Sequence, residues 1–499
     1  MYYENKLKNK EMKYKLFNYS HFKDGINADM DESLIPFNQG VNSYNFSYKN
    51  GALSTGLGLK PVEITYYPDD LSLTRGLENP GDTQILGIWS QDTYYSDMDL
   101  NARMLFAYGK DKKLYYHYLH FNNTTFLALE NCPTFDEMPE IILCFINGHR
   151  TYLISTPSGG LKSYRVGEWE LKDVKGAPAI SSYCLHDGRL FATDYVKQNR
   201  VWFSDNDDPT NWQLGNDQAG FVEFNDQRGY CVKVVSFEGD VYIFREYGIT
   251  KISSFKNQAN IVTENVYVSS SAILKNTICL CGDKILFMTK NGLFSFNGNS
   301  VSNVDLNIDS WLRKVNNFSM AKYYNDAYYL TCNIDFDDDK KIGCESGNCT
   351  NNSLVKIDLE EKSVSVLRGV DITFLNVLRD VGVNILVAVM KDNDEFKLGM
   401  VCENGKIFDE KTFKYWKSTQ YDFDMPNKKK FVKNFYINTD VKTTINFLHD
   451  SKITSFEIEP SEEIATISPR ISGYKIGVEI ICEEGSCNIS SPKILVGVL

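Results

Sequence analysis

The densest run of potential metal ligands is an acidic insertion late in the chain. Asp335, Asp337 and Asp339 alternate as in a calcium loop, where several oxygen ligands converge on the ion from one turn. Lys340 stands where an EF-hand loop needs glycine, and Ser346 stands where it needs a bidentate glutamate. We therefore expect the tip of a solvated acidic loop here, with a calcium site as the alternative.

Two cysteine pairs share one spacing. Cys344 and Cys349, like Cys482 and Cys487, flank four residues that include a glycine. Four thiolates could hold a tetrahedral zinc ion, although structural zinc sites usually use tighter knuckles. A disulfide within each pair is a second possibility. Most of the twelve cysteines lie in apolar stretches, so we expect free thiols made in a reducing cytoplasm.

Catalytic combinations are weak. The sequence contains no G-x-S-x-G elbow, no H-E-x-x-H and no Walker loop. His117 and His120 would lie on opposite faces of a strand, which argues against a joint metal site. Asp205 and Asp207 could be imagined as the acid and nucleophile of a glycosidase, but any acidic turn offers such a pair. We predict that the chain is not an enzyme and has no catalytic residue, cofactor site or metal site.

The elements that would position such residues are β-hairpins. An apolar strand, a polar two-residue turn and a second apolar strand recur, with the turns 40, 51, 44 and 43 residues apart. The turns are Asn147-Gly148, Asp187-Gly188, Glu238-Gly239, Gly282-Asp283 and Asn325-Asp326. Asn-Gly and Asp-Gly supply the positive φ angles of tight hairpins. A second hairpin follows in most units, and four strands at this period indicate a β-propeller of five to seven blades.

Composition agrees with a large all-β protein. At 499 residues, the chain is long enough for two or three domains of about 100–200 residues. Thirty Tyr and thirty Phe favour pleated, half-buried strands. Because long apolar stretches with helical periodicity are scarce, we expect few and short helices.

The net charge of −12 argues against a protein whose whole surface grips nucleic acid. The densest basic run, Lys428–Lys430 with Lys433, is better explained as a solvated turn. An acidic channel wall would repel phosphates and let a duplex slide through. No signal peptide is visible in Met1–Lys15, and no run of about 18 apolar residues predicts a membrane span.

The N-terminal region carries a series of short motifs. They are Gly25-Ile26-Asn27-Ala28-Asp29, Leu34-Ile35-Pro36, Asn50-Gly51-Ala52-Leu53 and Gly56-Leu57-Gly58. This series resembles the opening of tailed-bacteriophage virion proteins that contain a β-propeller. Physically, it reads as a strand, a proline-ended loop and a hairpin that places a strand before the blades. Such a strand could complete a blade built mostly from later sequence.

Two further segments extend the resemblance. Residues 199–212 look like the segment R-hydrophobic-x-F-S-D…D-P-x-x-W of those phage propellers, with Asp205 to Pro209 forming a turn and Trp212 folding back. The C-terminal region, from Tyr415-Trp416 to Pro469-Arg470-Ile471-Ser472-Gly473 and beyond, is similar to their terminal β-sandwich. The resemblance implies an N-terminal arm and blade-closing strand at 1–60, a propeller at 61–410 and a small antiparallel β-sandwich at 411–499.

The resemblance also implies a function. Proteins of this tail hub, nozzle or neck-ring type are structural components of the virion and are made in the bacterial host cytoplasm. We expect a homo-oligomeric ring in the tail or at the head-tail connector, which contacts neighbouring portal, adaptor or tail proteins. DNA would pass through it during ejection without sequence-specific binding. The alternative is a carbohydrate-binding adhesin or glycosidase that uses Trp202, Trp212 and the Asp205–Asp208 turn.

Overall fold

The computed structural model describes most of the chain. The described residues are 13–18, 22, 25–32, 34–36, 39–66, 73–95, 100–118, 125–146, 148–165, 168, 170–215, 219–253, 261–336, 338–344, 347–380 and 383–498. Several positions singled out above therefore lie outside the described residues: most of the N-terminal leader, His120, Asn147, Asp337 and Ser346.

In the described part of the chain, six antiparallel sheets of four strands form six blades of a propeller, and four antiparallel strands of a six-stranded sheet form the seventh. Blade 1 contains Ile85–Tyr95, Leu100–Gly109, Leu114–Tyr118 and Leu127–Ala128; blade 2, Glu140–Ile146, His149–Thr156, Gly160–Arg165 and Leu171–Asp173; blade 3, Ile180–His186, Arg189–Asp194, Arg200–Phe203 and Gly220–Glu223; blade 4, Cys231–Phe237, Asp240–Arg245, Gly248–Ser253 and Val262–Val268. Blade 5 contains Cys279–Cys281, Lys284–Thr289, Gly292–Phe296 and Val301–Asn303; blade 6, Ala321–Tyr324, Ala327–Cys332, Ser353–Asp358 and Val364–Arg368; blade 7, Ile372–Asp380, Val383–Asp392, Glu395–Cys402 and Gly58–Pro61. The prediction of an all-β propeller is confirmed. The seven blades are the largest number within the predicted range of five to seven.

The predicted hairpin turns connect the first and second strands of blades 2 to 6. Asp187 and Gly188 have φ angles of 46° and 76°, and Glu238 and Gly239 have 48° and 80°. The first strand of each blade is its inner strand, because the first strands of neighbouring blades, such as Ile180–His186 and Cys231–Phe237, lie side by side.

Apolar side chains fill the space between each pair of neighbouring blades. Blades 7 and 1 share one such core, in which Phe374 and Leu378 pack with Ile88 and Leu105. The ring of blades is therefore closed.

The closing strand of blade 7 comes from the other end of the chain. Gly58–Pro61 pairs antiparallel with Glu395–Cys402, and Leu59 is fully buried between blades 6 and 7. The hairpin Lys406–Ile407 and Glu410–Lys411 extends the same sheet.

The second domain is a β-sandwich of two sheets. In one sheet, the strand order is Phe46–Lys49, Ala52–Thr55, Asn488–Val498, Lys430–Thr439 and Ser461–Ile467. Two more strands join this sheet: Tyr14–Asn18 pairs with Asn488–Val498, and Ile471–Gly473 pairs with Lys430–Thr439. In the other sheet, the order is Gly40–Tyr44, Lys414–Ser418, Ile476–Cys482, Thr443–His449 and Lys452–Ile458. The sandwich is therefore not confined to residues 411–499, because four strands from residues 14–55 complete it. Alternation within a strand shows which face is buried, but not which distant segment pairs with it.

The remaining elements are short. They are the hairpin Glu63–Tyr66 and Leu73–Gly76 and the 3₁₀ turns Lys275–Thr277 and Trp311–Lys314. The described residues contain no α-helix, and none of their helical turns has the length and apolarity needed to cross a membrane.

The N-terminal motifs hold the two domains together. The carboxylate of Asp29 accepts hydrogen bonds from the backbone N–H groups of Asp309 (2.8 Å) and Ser310 (2.7 Å), at the connection between blades 5 and 6. A Cβ atom on Gly56 would lie 1.9 Å from the carbonyl oxygen of Asn45, so a side chain cannot be accommodated there. One apolar core continues from blades 5 and 6 into the sandwich, through residues such as Tyr328 and Trp416.

Candidate functional site: the channel mouth

Carboxylates of the acidic insertion form ion pairs with basic side chains of the same chain. Asp335 pairs with Lys314, and Asp338 accepts two hydrogen bonds from Nη1 of Arg368, at 3.0 and 2.9 Å. No group of three or more His, Cys, Asp or Glu side chains among the described residues could hold a metal ion. Since Asp337 lies outside that part of the chain, the structure does not describe the complete predicted calcium loop.

The two cysteine pairs remain apart in the fold. Each thiol contacts its partner, Cys344 with Cys349 and Cys482 with Cys487, and the sulfurs are not joined. The hydrogen bond from the Cys487 thiol lowers the pKa of Cys482, which makes the Cys482 sulfur the more nucleophilic one. The first pair belongs to the insertion of blade 6 and the second to the sandwich, so the four sulfurs do not form one described metal site.

Carboxylates in the acidic turn of blade 3 accept hydrogen bonds from the backbone of the same turn. Asp205 accepts the backbone N–H of Asn206 at 2.8 Å, and Asp208 accepts that of Thr210 at 3.0 Å. Trp212 is only 3% exposed, and Nε1 of Trp202 donates to Asp194 at 2.8 Å. Asp205, Asp208 and Trp202, which the carbohydrate hypothesis requires, are thus hydrogen-bonded within blade 3, and the ring of Trp212 is buried between blades 2 and 3.

His117 also has a structural position. Its side chain is buried in blade 1, and Nδ1 lies 3.1 Å from the carbonyl oxygen of Thr125. Burial lowers the pKa of His117, which keeps the ring neutral at physiological pH.

A different group of polar side chains converges where the inner strands of blades 2 to 6 begin. We call this end of the propeller axis the channel mouth. It contains Glu140, Ser181, Lys233, Lys275, Cys279 and Lys322, which come from five consecutive blades or the turns leading into them.

An ion pair spans the channel mouth. Lys275, in the 3₁₀ turn before blade 5, places Nζ 3.0 Å from Oε1 of Glu140 at the start of blade 2. The same ammonium donates to the backbone carbonyl of Ser181 in blade 3. Blades 2 and 5 are separated by two intervening blades, so Lys275 connects opposite sides of the axis.

Two further lysines lie beside this bridge. Nζ of Lys233 donates to the carbonyl oxygen of Ile278 at 2.7 Å. Burial lowers the pKa of Lys233 to about 8, and the positive charge of Lys322 acts in the same direction. Burial also lowers the pKa of Lys322. Both side chains therefore carry their charge at a cost to the folded state.

Cys279 lies between these two lysines. Interaction with the neighbouring Cys281 thiol lowers the pKa of Cys279, and the charges of Lys322 and Lys233 and the backbone N–H of Tyr323 lower it as well. Cationic neighbours are the usual environment of a nucleophilic thiolate. The channel mouth can therefore attract anions and present a reactive sulfur.

Irregular pairing accompanies this site. The inner strands of blades 1, 3, 4 and 7 each shift register once, within their first three residues: between Ile85 and Gly87, Ile180 and Ser182, Cys231 and Lys233, and Ile372 and Phe374. A bulge leaves one residue unpaired and redirects side chains. Ser181 is one such residue, and its hydroxyl lies 2.7 Å from that of Thr193.

Sequence reasoning missed the channel mouth because it searched for known motifs. The available signal was a lysine within the first three residues of an otherwise apolar repeat strand, at Lys233 in one unit and Lys322 two units later. Their proximity depends on closure of the ring, which no spacing in the sequence specifies.

A second charged cluster lies between the propeller and the sandwich, and we call it the joint. Arg368 ends blade 6, and its guanidinium binds Asp338, donates to the carbonyl of Lys340 at 2.6 Å and stacks on the rings of Tyr44 (4.7 Å) and Phe336 (4.4 Å). A cleft of about 550 Å³ adjoins it. The charges of the joint are matched one to one within the chain.

Comparison with known proteins gives similarity in fold alone. Neither a protein-family model nor a curated protein matches the chain. One similar solved structure is Raptor from Chaetomium thermophilum, with 9% identity and a TM-score of 0.42, covering 70% of this chain and 29% of that one. Another is the computationally designed Ika8 protein, with 10% identity and a TM-score of 0.37, covering 75% of this chain and 98% of that one. A third is BBS1N in complex with ARL6DN, with 12% identity and a TM-score of 0.30, covering 54% of this chain and 81% of that one. This chain thus spans less than a third of the Raptor chain.

Proposed function

We propose that this protein is a non-enzymatic structural component of a tailed-phage virion. It assembles as a ring in the tail or neck, contacts portal, adaptor or tail proteins, and bounds a passage through which DNA moves without sequence-specific binding. Its location is the virion, after synthesis in the host cytoplasm.

The observation that carries this proposal is the structural use of the segments that resemble phage proteins. Asp29 docks the N-terminal segment on the connection between blades 5 and 6, and Trp212 is buried beside blade 3. Residues 50–55 and 471–482 supply strands to the sandwich. These segments pack within the propeller, within the sandwich or between the two domains, and supply no identified chemistry, as expected for an assembly module.

The outer edge of the sandwich offers a surface for ring contacts. Among the described residues, Lys452–Ile458 and Ser461–Ile467 each pair with one strand, so each leaves an open edge. Ile453 is 63% exposed and Ile464 is 53% exposed on these strands. An open edge with apolar side chains is a template for pairing with another chain. A heterologous contact of this kind gives a closed ring when its rotation closes.

The test is the mass of the purified protein by light scattering, alone and then mixed with extracts that contain the proteins encoded beside it. We expect a discrete ring or incorporation into a larger particle. Ile464→Asp should shift the ring to monomer, because it places a charge in the contact. Val196→Asp is the matched control, since Val196 is 77% exposed on the propeller.

A monomer in both settings would overturn the proposal. A ring that survives Ile464→Asp would exclude the sandwich edge as its contact. The adhesin or glycosidase alternative would require glycan binding, or hydrolysis abolished by replacement of one carboxylate such as Asp205. The side-chain positions on blade 3 do not favour it, because Asp205, Asp208 and the Trp202 indole have hydrogen-bond partners in their own blade and the Trp212 ring is buried.

A further inference from the structure

The channel mouth has more positive than negative charge. Lys233, Lys275 and Lys322 supply three ammonium groups, and Glu140 supplies one carboxylate. Cys279 is a further ionisable group that interacts with Lys233 and Lys322. When the Cys279 thiol is protonated, two positive charges therefore remain unbalanced within this partly buried site.

Hydrogen bonds show the same imbalance. The Lys275 ammonium has two acceptors, Glu140 and the carbonyl of Ser181. The Lys233 ammonium has three donor hydrogens and uses one on Ile278. Within the described residues, the Lys322 ammonium has neither a hydrogen bond nor an ion pair. Lys233 and Lys322 thus have donors available on either side of Cys279.

Partly buried ammonium groups without acceptors destabilise a fold, and an anionic ligand removes that cost. We propose that the channel mouth binds one compact, doubly charged oxyanion of the phosphate type between Lys233 and Lys322. Its two charges match the two unbalanced ammonium groups. Its oxygens accept the available donor hydrogens, since lysine binds phosphate as a point charge.

The ligand must be small. The ion pair between Lys275 and Glu140 spans the mouth at 3.0 Å, so a nucleic-acid duplex cannot thread it. The site fits inorganic phosphate or a phosphate monoester. It does not depend on ring assembly, because all its residues belong to one subunit.

The test is calorimetric titration of the full chain with inorganic phosphate, at fixed pH and physiological ionic strength. We expect one site per chain. The double variant Lys233→Gln with Lys322→Gln should bind at least about tenfold more weakly, because both charge-assisted contacts are lost. Lys290→Gln is the matched control, since Lys290 is exposed at a hairpin turn of blade 5. Circular dichroism verifies that each variant is folded.

Two results would overturn the proposal. One is the absence of saturable heat with phosphate. The other is equal binding by the wild type and a folded double variant, which would place the anion elsewhere. Titration with chloride at equal ionic strength separates binding from screening, and saturation by chloride with the same affinity would also contradict a phosphate site. A monoester, glycerol 3-phosphate, serves as a second ligand, and its competition with phosphate would support a site selective for the phosphate group.

Discussion

The joint and the channel mouth are both clusters of partly buried charge, but only the joint is complete. Arg368 at the joint has a carboxylate, a carbonyl and two aromatic faces, and its side chain is 10% exposed. The channel mouth has three ammonium groups for one carboxylate. A cluster whose opposite charges are paired fixes two domains against each other. A cluster with excess positive charge instead has an electrostatic potential that attracts an anionic ligand.

Breaking the joint should have the largest effect on stability. Asp338→Ala leaves the Arg368 guanidinium without its carboxylate, so we expect a loss of about 3–5 kcal/mol in the free energy of unfolding. Urea denaturation measures it. Asp339→Ala, at an exposed neighbouring position, should change stability by less than about 0.5 kcal/mol. A loss under about 1 kcal/mol in Asp338→Ala would show that the pair does not hold the joint.

Removing a lysine from the channel mouth should instead increase the free energy of unfolding. The pKa of Lys233 is about 8 in the folded protein, against an ordinary value of 10.5, so the unfolded chain binds more protons between these values. The Lys233 contribution to stability therefore rises with pH across this window. Lys233→Met should be about 1–2 kcal/mol more stable than wild type at pH 7.5, and the difference should disappear as the pH rises above 10.5.

Urea denaturation at several pH values measures this difference, with Lys290→Met as the control that should show no such trend. The groups that face Lys233 are Lys322, Glu140, Cys279 and Lys275. A difference that stays constant with pH would contradict the assignment.

Lys322→Met should give a smaller gain. It removes a partly buried ammonium that has no acceptor in the described part of the structure, and we expect roughly 1 kcal/mol of added stability at pH 7.5. The midpoint of urea unfolding reports it. A clear loss of stability would mean that Lys322 has an acceptor that the fold requires.

The smallest effect concerns the reactivity of Cys279. The surrounding lysines should favour anionic iodoacetate over neutral iodoacetamide as its alkylating reagent. Lys322→Gln should lower the ratio of the two rates by roughly threefold, because it removes positive potential. Mass spectrometry of the Cys279 peptide gives both rates, and Cys132, in the connection between blades 1 and 2, serves as the internal reference. An unchanged ratio would argue that Lys322 does not act on the thiol.

The propeller could be predicted because residues that are close in sequence determine its turns and strands. Turns such as Asp187-Gly188 and Glu238-Gly239 encode positive φ angles within two residues, and the apolar strands around them encode burial. Blades 1 and 7 lack such clear turns, which is why the number of blades stayed open. The location of Trp212 followed from the same local pattern.

The sandwich and the channel mouth depend on distant contacts. Leu53 is buried against strands more than 400 residues later, and its own neighbours do not reveal that partner. Lys233 and Lys322 meet because the ring closes. Side chains brought together by closure follow neither a helical nor a strand period, so pattern analysis cannot find them.

The most direct test of the contrast between the two clusters is a crystal structure of the protein with selenate, a tetrahedral oxyanion with the same double charge as hydrogen phosphate. Anomalous scattering locates the selenium atom independently of any other density. We predict a peak at the channel mouth, with selenate oxygens about 2.7–3.2 Å from Nζ of Lys233 and Lys322, and none at Arg368. A peak at Arg368, or no peak at the channel mouth at saturating selenate, would contradict the account.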